Sequence, residues 1–167
     1  MKIFFILLAA CIIKSNDCFS QKQWPAVYEI KSDTAAWNDI TSNCWMMLED
    51  KNGKWKLDDV LTMHEAGKFH SISAGLDTTV HTYWVVYQLH NMMSGDARIS
   101  LNSISDFDEF YVKSDSTRWK HFASGKLTDW LKKDGLKIAD CIPVVMRPGE
   151  RYTVYQRVSN TKTGLPE

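Results

Sequence analysis

Apolar and polar residues alternate most regularly over residues 82–90. Tyr83, Val85, Tyr87 and Leu89 fall on one face of an extended chain. Trp84, Val86, Gln88 and His90 fall on the other, which turns polar toward its end. The pattern predicts a strand whose first face packs into a core. The same period recurs over residues 152–158, where Tyr152, Val154, Gln156 and Val158 oppose Thr153, Tyr155 and Arg157. Shorter runs predict strands at residues 27–30, 44–48, 98–101, 107–113, 118–123 and 142–146. Pro143 sits near the start of the last of these, where a missing N–H donor is tolerated. Turn signals separate the runs: Asn52-Gly53, Ser94-Gly95-Asp96, Ser114-Asp115-Ser116, Ser124-Gly125 and Arg147-Pro148-Gly149-Glu150. Pro148 and Gly149 suit the two central positions of a type II turn. Residues 57–63 predict one or two helical turns, with Asp58 and Asp59 favourable in the first. Residues 64–79 show no clear period and hold two glycines, which predicts a loop with at most a short element. About eight short strands with little helix point to an antiparallel all-β sandwich.

The first twenty residues belong to a different class of signal. Lys2 precedes an unbroken apolar run of about 11 residues, against the roughly 20 that a membrane-spanning helix needs. Cys18 and Ser20 occupy the −3 and −1 positions of a cleavage site before Gln21. Residues 1–20 therefore read as a secretory signal peptide, 21–44 as a lead-in and 45–167 as the sandwich. Export to the periplasm or beyond follows. A rival reading takes Leu8-Ala9-Ala10-Cys11 as a lipoprotein box with lipid on Cys11.

Cleavage before Gln21 removes Lys2, Lys14 and Asp17. The 20 basic and 20 acidic residues become 18 and 19, a net charge of −1. A near-neutral chain without basic clusters has no electrostatic footprint for nucleic acid or for an anionic membrane surface. Cys44 and Cys141 remain after cleavage. In an oxidising compartment they could pair, closing a loop of about 97 residues for on the order of 4–5 kcal/mol. Two buried thiols packing as small hydrophobes are the alternative.

Candidate chemistry is sparse. His64, Glu65 and His70 lie close together, but a zincin helix needs His-Glu-x-x-His, and here the histidines are six apart with Gly67 between them. They read as solvated loop residues, without a metal. Asp106, Asp108 and Glu109 read as solvated carboxylates at a strand edge. No nucleophile elbow, phosphate-binding glycine loop or cofactor motif is present in the sequence, so the expectation is a non-enzymatic protein without a cofactor. The seven tryptophans are the suggestive excess. Most should fill the core. Trp119, between Arg118 and Lys120 and near His121, and Trp130, among Asp129, Lys132 and Lys133, have polar company. Trp119, His121 and Trp130 are the candidate residues of a sugar-binding site, the rings serving as flat apolar platforms.

From about Trp45 to Pro166 the chain resembles the second type of extracellular sensor domain found in bacterial seven-transmembrane receptors with diverse intracellular signalling modules. The resemblance rests on Leu48-Glu49-Asp50 with Gly53 and Leu57-Asp58-Asp59-Val60, and on the Tyr83-Trp84 start and Asn91 end of the strand at residues 82–91. It rests further on residues 107–112, Ser124-Gly125, Ile142-Pro143-Val144 and the closing hairpin at residues 148–158. It implies a jelly-roll sandwich similar to carbohydrate-binding modules, a sensory role outside the cytoplasm, and a small-molecule or carbohydrate ligand. It also implies a further strand, seven membrane helices and an output module as the remainder of the receptor. A free-standing secreted carbohydrate-binding module and an adhesive sandwich that binds protein are the other readings.

N-terminal sequencing of the exported protein should give Gln21 as the first residue. A diacylated Cys11 at the start of the chain would overturn this and make the protein a lipoprotein.

Overall fold

The computed structural model describes residues 23–32, 44–71, 82–103, 105–115, 117–137 and 139–161. The signal peptide, Cys11 and the cleavage site lie outside the described residues, as do residues 72–79 of the expected loop. The described residues form nine strands and one helix: β1 (Tyr28–Ile30), β2 (Trp45–Glu49), α1 (Leu57–Glu65), β3 (His70–Ser71), β4 (Thr82–Asn91), β5 (Ala97–Asn102), β6 (Phe107–Ser114), β7 (Lys120–Ser124), β8 (Cys141–Met146) and β9 (Arg151–Ser159).

Seven strands make the main sheet, in the order β3-β2-β4-β9-β6-β7, with β1 beside the second half of β4. All pairings are antiparallel except that of β1, which runs parallel to β4. A second sheet holds β5 and β8. It packs on one face of the main sheet, where Leu101, Ile142 and Met146 meet Tyr87, Leu89, Phe110, Val112 and Val154. The expected inward face of β4 is thus in the core, with Val85 only half-buried. The opposite face of β4 is buried as well. Trp84 and Val86 are fully covered by a second cluster with Val60 of α1, Phe69 and Tyr155. The alternation on β4 therefore separates two cores, and only Gln88 and His90 at its far end stay partly exposed on that second face.

Helix α1 runs two residues beyond its expected end. The Lys56 N–H donates to Asp59 Oδ2 at 2.9 Å at the start, and Gly67, with φ 63°, turns the chain at the finish. Val60 and His64 lie four apart and so share one face; both are buried. His64 is therefore no solvated loop residue. Its Nε2 faces the Gln23 carbonyl at 2.9 Å, which can only accept. Nε2 then carries the proton, and Nδ1 accepts from the Tyr155 hydroxyl at 2.5 Å. The histidine ties the first described residues to the centre of the sheet, with Trp24 edge-on to its ring.

Two further polar side chains are buried where a solvated role was expected or none was assigned. Asp108 accepts from the Ser105 N–H and hydroxyl, the Ser103 hydroxyl and Gln156 Nε2. Four donors offset the cost of taking its charge out of water. Asn91 donates to the carbonyls of Gly95 and Met146 and accepts from the Met93 N–H, joining β4, the following turn and β8. The expected type II turn is present: the Glu150 N–H donates to the Arg147 carbonyl at 3.0 Å, with Gly149 at φ 73°. Cys44 and Cys141 are both buried, and no bond joins them.

Leu89→Ala should lower stability by roughly 2–5 kcal/mol by leaving a cavity between the two sheets. Asp108→Ala should cost about 3 kcal/mol, because Ser105 and Gln156 lose a buried acceptor. Chemical denaturation measures both; a change within about 0.5 kcal/mol would contradict the burial on which each expectation rests.

Candidate functional site

Strand register lays a row of side chains across the outer face of the main sheet. Met46 pairs with Val86, Val86 with Tyr155, Tyr155 with Tyr111, and Tyr111 with His121. Helix α1 covers the Met46–Val86 end of this row. Tyr111 is only partly buried and His121 is exposed, so the row emerges into solvent on β6 and β7. The rings interlock: Tyr111 stacks on Trp84 with centroids 5.6 Å apart and lies 4.7 Å from His121. Trp119, just before β7, stands edge-on to Tyr155 at 5.6 Å. The Lys113 ammonium lies 5.7 Å from the centre of the Trp119 ring.

Beside this row is an open cleft of about 460 Å³. Its floor is Glu109, Tyr111 and Arg157. Its bank is the segment from Lys54 to Asp58 that leads into α1. Asp50 builds that bank. Buried after β2, its carboxylate accepts from the N–H groups of Lys54 at 3.3 Å and Trp55 at 2.9 Å. The turn beneath it closes with a bond from the Gly53 N–H to the Asp50 carbonyl. Arg157 then joins bank to floor, donating to the Gly53 carbonyl at 2.8 Å and to Glu109 Oε2 at 3.0 Å. The other oxygen of Glu109 lies 3.6 Å from His121 Nε2.

Two buried donors, Arg157 Nε of the floor and Trp84 Nε1 in the core beside it, find no acceptor among the described residues. Trp84 and Arg157 are register partners, so the two donors belong to one place in the sheet. Burial, helped by the charge of Glu109 and opposed by that of Arg157, raises the Tyr111 phenol above its ordinary value. Tyr111 thus keeps its proton at neutral pH and can both donate and accept. Two lysines, Lys54 and Lys56, stand with Asp58 on the bank. A second depression of about 310 Å³ lies toward the other end of the sheet, between Gln88, Thr153, Arg151 and Asp115. It has no aromatic ring in its walls.

Of the three residues singled out from sequence, Trp119 and His121 come together on this face. Trp130 lies in the loop that leaves the opposite end of β7, with Lys137 5.8 Å from its ring centre; none of the three is in the cleft wall itself. Sequence reasoning missed Trp55, Tyr111, Glu109 and Arg157. Alternation does carry a signal for Glu109 and Tyr111, which fall on the face of β6 opposite Phe110 and Val112. Nothing local marks Trp55, because its place depends on Asp50 and Arg157.

No curated relative matches the sequence. The model of the family described as 7TMR-DISM extracellular 2 matches residues 42–166, which takes in the whole sandwich except β1. No described helix is long and apolar enough to cross a membrane. With three quarters of its length matched, the chain belongs to the 7TMR-DISM extracellular 2 family, the extracellular sensor domains of seven-transmembrane receptors.

Proposed function

We propose that this domain senses a carbohydrate, without chemical conversion, on the open side of its outer sheet face, as the ligand-reading part of a seven-transmembrane receptor. The observation that carries the reading is the aromatic row Tyr155–Tyr111–His121, with Trp119, beside the cleft floored by Arg157 and Glu109. A sugar ring offers an apolar face of C–H bonds and a rim of hydroxyls. The rings of Tyr111 and Trp119 suit the former. Arg157, Glu109, His121 and the protonated Tyr111 phenol suit the latter. Stacking one pyranose on one ring buries about 100 Å², roughly 2–3 kcal/mol before entropy losses. Useful affinity therefore needs more than one ring, and this face supplies several. Glu109 is held by Arg157 and lies near His121, which suits an acceptor of hydrogen bonds better than a general acid.

Titration calorimetry with oligosaccharides selected on a glycan array tests the proposal. Trp119→Ala combined with Tyr111→Ala should abolish binding. His121→Ala should weaken it about tenfold or less, the value of one hydrogen bond to a neutral partner. Trp130→Ala should leave it unchanged, because Trp130 lies on the loop beyond the opposite end of β7, away from the aromatic row. Binding that survives the double substitution, or is lost with Trp130, would refute the assignment. Seven apolar segments encoded in frame after codon 167 would be the mark of the receptor; their absence would favour the free-standing module.

A further inference from the structure

Four of the eight large hydrophobic side chains that stand exposed among the described residues fall within ten positions of one loop. Leu127 is 55% exposed, Trp130 54%, Leu131 84% and Leu136 55%. All lie between β7 and β8. Exposed apolar side chains gathered on one loop in this way suggest a contact site. We propose that this loop seats the domain on the surface of a phospholipid bilayer.

The loop is built to hold these residues outward. At its base the N–H groups of Lys126 and Leu127 donate to the carbonyls of Ser105 and Asp106 at 3.0 and 2.9 Å. The fit there is close: a Cβ on Gly125, at φ 120°, would come within 2.5 Å of the Asp106 carbonyl oxygen. Asp134 clasps the edge of β7, exchanging bonds of 2.8 Å with the Ala123 backbone in both directions. At the tip, Asp129 Oδ1 accepts from the Leu131 N–H, and its carbonyl accepts from Lys132 and Lys133. Trp130 and Leu131 are therefore fixed on a hydrogen-bonded turn.

The charges around the tip fit phospholipid headgroups. The three loop carboxylates are engaged within the loop or its base: Asp129 and Asp134 by backbone N–H groups, Asp140 by Lys133. Lys126 and Lys132 are exposed and make no ion pair among the described residues. Leucine side chains with an indole between them and lysines at the rim match the layering of a bilayer interface: acyl chains, then the carbonyl belt that favours tryptophan, then phosphates. A projecting tip needs a matching pocket in a protein partner but none in a fluid bilayer. The near-zero net charge of the whole chain conceals this local arrangement.

The position of the loop favours the same partner. The N–H and hydroxyl of Thr161 donate to the Asp106 carboxylate at 2.7 and 2.6 Å. The Asp106 carbonyl is the acceptor for Leu127. Thr161, the last described residue, thus lies at the root of the loop. A chain continuing from there into a membrane would bring Trp130 and Leu131 to its surface. The inference rests on the receptor reading only in supposing a bilayer nearby, and tethering would let even weak partitioning suffice.

The mature protein is mixed with vesicles of equal parts phosphatidylcholine and phosphatidylglycerol, and association is read by sedimentation. Tryptophan quenching by brominated lipid is read in parallel. The expected result is association, with a quenching component that Trp130→Phe removes. Leu131→Asp should reduce association about tenfold or more with the melting temperature unchanged, since Leu131 supports no packing. Lys126→Glu and Lys132→Glu should each lower it about fivefold. Absence of association, association indifferent to Leu131→Asp, or a lipid-free dimer abolished by Leu131→Asp would overturn the proposal, the last in favour of a second copy of the chain. Glycan binding by Leu131→Asp, measured alongside, keeps this outcome separate from that of the cleft.

Discussion

The antiparallel pairing of β4 with β9, nine residue pairs from Thr82–Ser159 to His90–Arg151, is the constraint on which the rest of the molecule depends. Both strands are central, and each carries buried side chains on both faces. One face holds Tyr87, Leu89 and Val154 against the small β5–β8 sheet. The other holds Trp84, Val86 and Tyr155 under α1. A one-residue slip would exchange the two faces along the whole ladder. It would push Gln156 away from Asp108 and Arg157 away from Glu109. Core, polar network and cleft floor thus share one register.

That shared register gives the buried polar groups their meaning. A carboxylate or imidazole removed from water is costly unless its partners are fixed in place. Asp108, Asn91 and His64 each join segments distant in sequence: β6 to β9, β4 to β8, and α1 to both β9 and the residues before β1; Asp50 closes a local turn between the end of β2 and the approach to α1. Each is tolerated because the strands present its partners at hydrogen-bonding distance. Each in turn penalises alternative packings that would leave it unmet. Asp50 and His64 also reach the working face. Asp50 shapes the bank of the cleft, and His64 holds α1 against Tyr155.

The helix divides the outer face into a covered and an open half. Over β2 and β4 it hides aromatic and aliphatic groups as ordinary core. Over β6 and β7 no helix of the described residues lies above the sheet, so the same aromatic row ends in accessible rings flanked by Arg157, Glu109 and His121. The stack of Trp84 on Tyr111 crosses this boundary. One continuous aromatic layer is thus core at one end and, at the other, the open face proposed for recognition. A ligand seated on Tyr111 would press directly on the core residue beneath it, a direct mechanical link from a binding face to the interior of a sensor domain.

The sequence by itself determined the strands, because period-two alternation and turn residues are local properties. The runs around Tyr83, Phe110 and Val154 lie where that pattern puts them, and Pro148-Gly149 forms the turn its dihedral preferences require. The order of motifs from Leu48 to Val158 likewise sufficed to identify the family. Tertiary structure alone decided which faces are buried and which are open. Alternation reports that two faces differ, but not whether a helix will cover the second; that α1 packs over Trp84 and Val86 was decided only by tertiary structure. Alternation cannot show that Asp108 and His64 find buried partners 48 and 91 positions away. Nor can it show that Trp119 stands against Tyr155 while Trp130 remains on its own loop. Those outcomes depend on contacts between residues far apart in the chain, and such contacts exist only once β4 and β9 have paired.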